Sequence, residues 1–278
     1  MSTLTFSVLL WLGSIVAGLL GAMTGLGGGI VLIPFLTLAL GVDIRYAIGA
    51  SLVSIIAVSS GSTAAYLRQG FTNLRVGMLL ELATAVGAIG GAYLAGLFSP
   101  GRLQVVFGIV LLVTIALTNR TRRKNGGEPK VDPLAQRLSL ASSYPRDGVR
   151  VAYDVHGVGL AGSVMLGAGA LSGLLGIGAG AFKVLAMDQI MKLPFKVSTT
   201  TSNFMMGVTA AASAGVYLSR GYIHPAIAVP VLLGTLPGAV MGSAVLGKVR
   251  TGGLRLVFSI VVTIMAVRMI YQGVGAGG

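Results

Sequence analysis

Apolar residues fall in runs long enough to cross a lipid bilayer, and short polar or Pro/Gly-marked breaks separate them. A membrane-crossing helix needs about 20 apolar residues, roughly 30 Å. Runs of that kind occupy 4–41, 46–67, 76–97 and 103–119. After a polar segment from Asn119 to Asp154 they resume at 157–191, 197–218, 226–247 and 254–271. The pattern predicts an all-α integral membrane protein with a first transmembrane repeat over 1–118, a basic linker over 119–154 and a second transmembrane repeat over 155–278. The first run has no positive region before Leu4 and stays apolar past any cleavage-like site, so it is expected to be retained rather than removed as a signal peptide.

The opening run of each half is too long for one upright helix, and glycine interrupts it. The first interruption is Gly25-Leu26-Gly27-Gly28-Gly29, with Pro34 beyond it; the second is Gly176-Ile177-Gly178-Ala179-Gly180. Glycine at this density unwinds a helix. Unwound backbone cannot face lipid, so both breaks are expected to be buried in protein or to line a polar cavity.

Sliding the chain by 151 residues superimposes the halves without a gap. Gly25, Gly27 and Gly29 fall on Gly176, Gly178 and Gly180; Ser51 falls on Ser202; Tyr66, Leu67 and Gly70 fall on Tyr217, Leu218 and Gly221. Thr84, Gly87, Ala88 and Gly91 meet Thr235, Gly238, Ala239 and Gly242. A constant register over most of each half indicates a duplication. Loop charges then orient the copies, because cytoplasmic loops carry an excess of Lys and Arg. With the linker inside, Arg68 and Arg75 lie inside and Arg45 and Arg102 outside. If the second glycine-broken stretch returns as a hairpin, Lys192, Lys196, Lys248 and Arg250 also lie inside and only Arg220 outside. A single crossing would invert that count. The hairpin therefore predicts two inverted repeats, each a Gly-broken helical hairpin plus three transmembrane helices, with the shorter hairpin legs free to be re-entrant. Arg120, Arg122, Arg123 and Lys124, followed by Gly126, Gly127 and Pro129, are expected in a solvated cytoplasmic loop that signals topology or attracts anionic lipid.

Composition narrows the function classes. The chain is 54% apolar and 10% charged, which leaves too little polar surface for a water-soluble domain. It has no cysteine, so disulfides and thiolate chemistry are excluded, and His156 and His224 are too few for a multi-histidine metal centre. The net charge of +13 sits between apolar runs, where membrane orientation accounts for it better than nucleic acid does. The expected location is a cell inner membrane or plasma membrane, crossed several times.

Four features carry candidate chemistry. At a helix break, free N–H groups and the positive end of a half-helix dipole make a site for an anion, while the competing reading is that the glycines only permit close packing. Ser198, Thr199, Thr200, Thr201, Ser202 and Asn203, opening the helix after Pro194, are expected to replace water around an anion's oxygens or else to cap and bond neighbouring helices. Their first-half counterpart, 47–51, keeps one hydroxyl, Ser51, so the site is expected to be lopsided. Lys183, three residues after Gly180, is free to meet an anion or to snorkel, since Asp188 is spaced to pair with Lys192. Glu81 and Asp188 are the candidates for ion coupling. No Lys-Ser/Thr follows either glycine cluster, which argues against a nucleotide site.

These features resemble the sulfite exporter TauE/SafE family, also described as toluene-sulfonate-uptake permease-like. The resemblance rests on Gly25-Leu26-Gly27-Gly28-Gly29-Ile30-Val31-Leu32-Ile33-Pro34 and on the stretch from Lys183 through Met187-Asp188 to Lys192-Leu193-Pro194-Phe195-Lys196-Val197-Ser198-Thr199-Thr200-Thr201-Ser202-Asn203-Phe204. It implies a secondary transporter of small sulfur-containing or organic anions that uses no cofactor and is no enzyme. The second cluster departs from the first, with Ala179 as its fourth residue and Leu185 in the place of Pro34. Expected partners are a small anion, membrane lipid and a coupling ion, H+ or Na+. Two other classes fit the residues less well. An intramembrane enzyme lacks a histidine at depth or a pair of membrane acids beyond Glu81 and Asp188. A cation transporter would find Lys183 in its way, although unwound carbonyls suit Na+ as a coupling ion.

Overall fold

The computed structural model describes residues 3–24, 27–120, 132–146, 149–245 and 251–275. Its helices in order are α1 (Thr3–Thr24), α2 (Gly29–Pro34), α3 (Ile44–Arg68), α4 (Leu74–Ala95), α5 (Pro100–Arg120), α6 (Pro133–Arg137), α7 (Val158–Leu175), α8 (Gly180–Leu185), α9 (Phe195–Ser219), α10 (Pro225–Val245) and α11 (Thr251–Gly275). Helices α2 and α8 run on as π-helical turns, Phe35–Ala39 and Ala186–Ile190. Six helices among the described residues are long and apolar enough to cross a membrane: α1, α3, α4, α5, α7 and α10. Helix α9 equals α3 at 25 residues, but its early turns carry the Ser/Thr/Asn run. The chain is thus an all-α integral membrane protein.

Both long opening runs turn back on themselves, as expected. The returning leg Gly29–Ala39 is about 16 Å long at 1.5 Å per residue, half a bilayer. At the far end of the second hairpin the His156 amide donates to the Met191 carbonyl at 3.2 Å, so its entry and exit lie side by side. The register of 151 residues reappears in the elements: α2, its π turn and α3 begin at Gly29, Phe35 and Ile44, and their counterparts at Gly180, Ala186 and Phe195. Because Leu185 stands where Pro34 does and the π turn forms in both halves, the proline is not its cause.

Helix directions follow from the closest approaches. Helices α4 and α7 run parallel, with Gly87 against Leu166 and Gly91 against Ala170; α1 and α10 run parallel, with Ile15 against Gly238 and Leu19 against Gly242. The counterpart helices α5 and α11 run antiparallel, with Gly101 against Gly273 and Ala266 against Gly108. Helices α3 and α9 also cross antiparallel, with Gly49 against Tyr222 and Ser59 against Gly207. Small residues let these backbones approach to contact, a usual device where lipid supplies no hydrophobic drive for association. The outer face of α4 shows Met78, Leu82 and Val86, each more than 60% exposed, as a lipid-facing helix should. Helices α3 and α9 form the buried middle.

The described part of the linker, from residue 132 onward, carries secondary structure of its own. Asp132 accepts from the Leu134 amide at 2.9 Å and the Val158 amide at 2.8 Å, tying the starts of α6 and α7 together. The Val158 N–H, chiefly, holds its carboxyl below the ordinary range. Strands β1 (Ser142–Arg146) and β2 (Val149–Tyr153) form an antiparallel hairpin. Asn73 Nδ2 fastens this layer to the start of α4 by donating to the Leu140 carbonyl and Tyr153 Oη, both at 3.0 Å. Arg122, Arg123, Lys124, Gly126, Gly127, Pro129, Lys248 and Arg250 lie outside the described residues, as does the side chain of Arg120.

Candidate functional site

The two glycine interruptions meet. Gly27 has φ of +80°, and Gly176, Gly178 and Ala179 have φ of +64°, +70° and +47°, so each chain reverses through left-handed backbone. A β-carbon on Gly29 would collide with the Gly176 carbonyl and with Ser51 Oγ; one on Gly27 would lie 3.3 Å from the Ile177 carbonyl. The Gly27 and Gly178 backbones both face Met206 Sδ of α9. Gly27, Gly28, Gly29 and every residue from Gly176 to Gly180 are buried. Gly25 and Leu26 lie outside the described residues.

Hydroxyls occupy the carbonyl side of the second break. Ser51 Oγ donates to the Gly176 carbonyl at 2.7 Å and Ser202 Oγ to the Gly180 carbonyl at 3.3 Å. The first amides of a helix have no partner one turn back; in α2 the Val31 N–H closes onto the Gly28 carbonyl at 3.2 Å, which leaves the earliest amides of the turn as the ones to offer. Each returning helix also points its positive dipole end at the break. Oxygens engaged and amides left over make a place suited to a negative solute rather than to a cation.

The Ser/Thr/Asn run divides by helical geometry, because successive residues turn about 100°. Thr199 Oγ1 returns to the Phe195 carbonyl at 2.9 Å, and Thr200 Oγ1 to those of Lys196 and Val197. Thr201 Oγ1 accepts from the Asn73 amide at 3.0 Å, at the start of α4. The hydroxyls of these three therefore serve helix and scaffold, the second of the two roles expected for the run. The run also begins too late to offer spare amides, since the Ser198 N–H already donates to the Pro194 carbonyl. Ser198, Ser202 and Asn203 remain. All are fully buried, and Ser198 Oγ and both amide atoms of Asn203 have no hydrogen-bond partner. Asn203 adjoins Ser202 in the chain, and its carbonyl accepts from Ser59 Oγ at 2.6 Å.

Lys183 is fully buried, and it does not stand alone. Its Nζ donates to Thr209 Oγ1 and lies 3.8 Å from Glu81 Oε2. Thr209 Oγ1 in turn donates to Glu81 Oε1 at 2.6 Å, and Thr84 Oγ1 donates to Glu81 Oε2 at 2.9 Å. The partner is thus an acid from α4, brought in by the packing of α4 on α9, so Lys183 is neither free nor snorkelling. Asp188 is half-buried on the π turn after α8, with Lys192 as its charged neighbour.

Ser51 is joined by residues that the sequence analysis does not single out. Ser54, Ser59 and Ser62 extend it into a buried stripe on α3 with steps of three or five residues, a helical face that spacing alone reveals. Ser54 Oγ, beside Gly28, and Ser172 Oγ of α7 are buried without a partner. At the basic end a cavity of about 520 Å³ is lined by Phe71, Tyr144, Pro145, Arg146, Pro194, Phe195 and Lys196, with the Lys196 ammonium 4.4 Å from the centre of the Phe71 ring. The opposite end gathers Arg45, which donates to the Phe98 carbonyl, and Arg220, which donates to those of Ala92 and Tyr93.

The profile described as "Sulfite exporter TauE/SafE" matches residues 10–269. A "Probable membrane transporter protein YunE" of Bacillus subtilis (strain 168) is 28% identical over 98% of this chain and 99% of its own. YdhB of the same organism, named in the same way, is 25% identical over 85% of this chain and 87% of its own. A "Probable membrane transporter protein ORF9" of Sinorhizobium sp is 26% identical over 87% and 85%. No solved structure matches the chain. The family and these relatives are membrane transporters, not enzymes, and a multi-pass membrane protein is what the helices describe. A match across nearly its whole length, together with paired glycine interruptions inside a bundle of membrane-length helices, means that this chain belongs to the sulfite exporter TauE/SafE family.

Proposed function

We propose that this membrane transporter is a secondary transporter of small anions, of the class of sulfite, organosulfonates and short carboxylates, and that it works by alternating access. The site lies where the two breaks meet, among Gly27, Gly28 and Gly29, Gly176, Gly178 and Gly180, with Ser51, Ser198, Ser202 and Asn203 around them. The observation that carries this reading is Asn203, a fully buried carboxamide with neither amide atom paired. Leaving such a group unsatisfied costs about 1–3 kcal/mol, and a bound oxyanion would offset that by accepting from Nδ2. The engaged carbonyls of Gly176 and Gly180 favour an anion over Na+.

The antiparallel crossing of counterpart helices supports two inverted copies, an arrangement in which one half rocks against the other around a fixed site. The basic end is read as cytoplasmic, with the cavity beside Arg146 and Lys196 as an antechamber for anions. Flux of ³⁵S-sulfite in proteoliposomes, with methanesulfonate and acetate as competitors, tests the proposal. Uptake above empty liposomes and inhibition by at least one competitor are expected. Absence of flux for sulfite and both competitors, beside a working control transporter, would refute it.

A further inference from the structure

The cluster of Glu81, Lys183, Thr209 and Thr84 is not used by the anion site described above. A lysine and a carboxylate in a membrane interior are costly to place, and the rule for such groups is function before architecture. Here the fold itself supplies the comparison. At the corresponding positions of the other half stand Leu32 for Lys183, Val58 for Thr209 and Leu232 for Glu81, so the same helices pack without any charge. Only Thr84 has a like counterpart, Thr235. Each charged group has the other as its charged neighbour among the described residues, across α4, α8 and α9. Lys183 lies on the short helix that leaves the second break, three residues beyond Gly180, whereas Glu81 lies on the scaffold helix α4.

We propose that Glu81 carries the coupling proton and that Lys183 is the charge it releases, so that one proton and one monovalent anion occupy the molecule together. The inference rests on the anion-site reading. With Glu81 ionised, the pair is neutral and Lys183 is engaged, directly and through Thr209. A proton taken from water onto Glu81 makes a neutral carboxyl and leaves one uncompensated positive charge at the start of the returning helix. A monovalent anion at the break then restores neutrality, and loss of the proton expels both. Anion affinity therefore rises as pH falls through the titration of Glu81, by about tenfold per pH unit on its alkaline side when one proton is linked to one anion.

The probe is methanesulfonate, which stays a monoanion throughout the range from about pH 5 to pH 9, so that any pH dependence belongs to the protein. Its affinity is measured by thermal shift on the purified full chain, and proton movement by a pH-sensitive dye trapped in proteoliposomes. Expected are tighter binding at lower pH and one proton entering with each anion. In Glu81→Gln both the pH dependence and the dye signal disappear. If that variant does not fold, the wild-type slope and dye signal decide alone. Anion flux with flat affinity and no proton movement would overturn this inference while leaving anion transport standing. A pH dependence that survives in Glu81→Gln would overturn it too, by assigning the proton elsewhere. Failure to bind methanesulfonate at any pH, in a preparation that also shows no sulfite flux, would remove the underlying reading and this inference with it.

Discussion

Asn203 stands where the first half has Leu52, two buried positions in equivalent helices with opposite chemistry. If its role were only to fill space, leucine would do so at lower cost. Replacing Asn203 by Leu should therefore leave the melting temperature unchanged or raise it, while sulfite affinity falls about tenfold or more, the effect of one lost hydrogen bond to a charged group. A fall in both quantities would indicate a structural role instead. Ala179 gives a second test. It is held at φ +47° and 2% exposed, a backbone conformation that costs a residue with a β-carbon about 1–2 kcal/mol. Ala179→Gly is expected to raise thermal stability modestly. Gly29→Ala should do the reverse and slow transport sharply, because its β-carbon would strike the Gly176 carbonyl of the facing break.

At the scale of elements, close backbone approach holds the bundle. A β-carbon on Gly173 would overlap the Ala88 carbonyl, and one on Gly169 the Thr84 carbonyl. Gly173→Val is expected to destabilise the α4–α7 pair by about 1–3 kcal/mol, read by thermal unfolding in detergent. The glycine-broken hairpins were legible because glycine clusters and run length are local signals. The serine stripe of α3 is an equally local signal, of which Ser51 alone stands out in the sequence. In the denser run of α9, adjacency in sequence is dispersal around a helix: Thr199, Thr200 and Thr201 turn to their own helix or to α4. The partnership of Lys183 with Glu81 was not legible at all, since α5, the linker and α7 lie between them in sequence and only packing joins them. The linker's order was likewise hidden, for its charges say where it lies and not that Asp132 bridges two helix starts. Because the N–H bond from Val158, helped by that from Leu134, keeps the Asp132 carboxyl ionised to lower pH than usual, its stabilising effect is present at neutral pH and is lost as pH falls through that depressed value. Asp132→Ala should speed hydrogen exchange at the Leu134 and Val158 amides at neutral pH and change little at strongly acidic pH.

For the molecule as a whole, each of the long helices α1 and α7 is followed by a short returning leg, and the two glycine breaks meet, with α3 and α9 crossing beside the junction. The junction is buried, and buried side chains with an unpaired polar atom include Asn203, Ser198, Ser172 and Ser54. The set is unequal between the two copies, in keeping with the lopsided site proposed above. The most direct test of the central claim uses selenite, an analogue of sulfite whose selenium can be located by anomalous scattering in crystals of the ordinary methionine protein. The account places that selenium between the two breaks, within hydrogen-bonding reach of Asn203 through its oxygens. A selenium peak confined to the cavity beside Arg146 and Lys196, in protein shown to transport selenite, would contradict it.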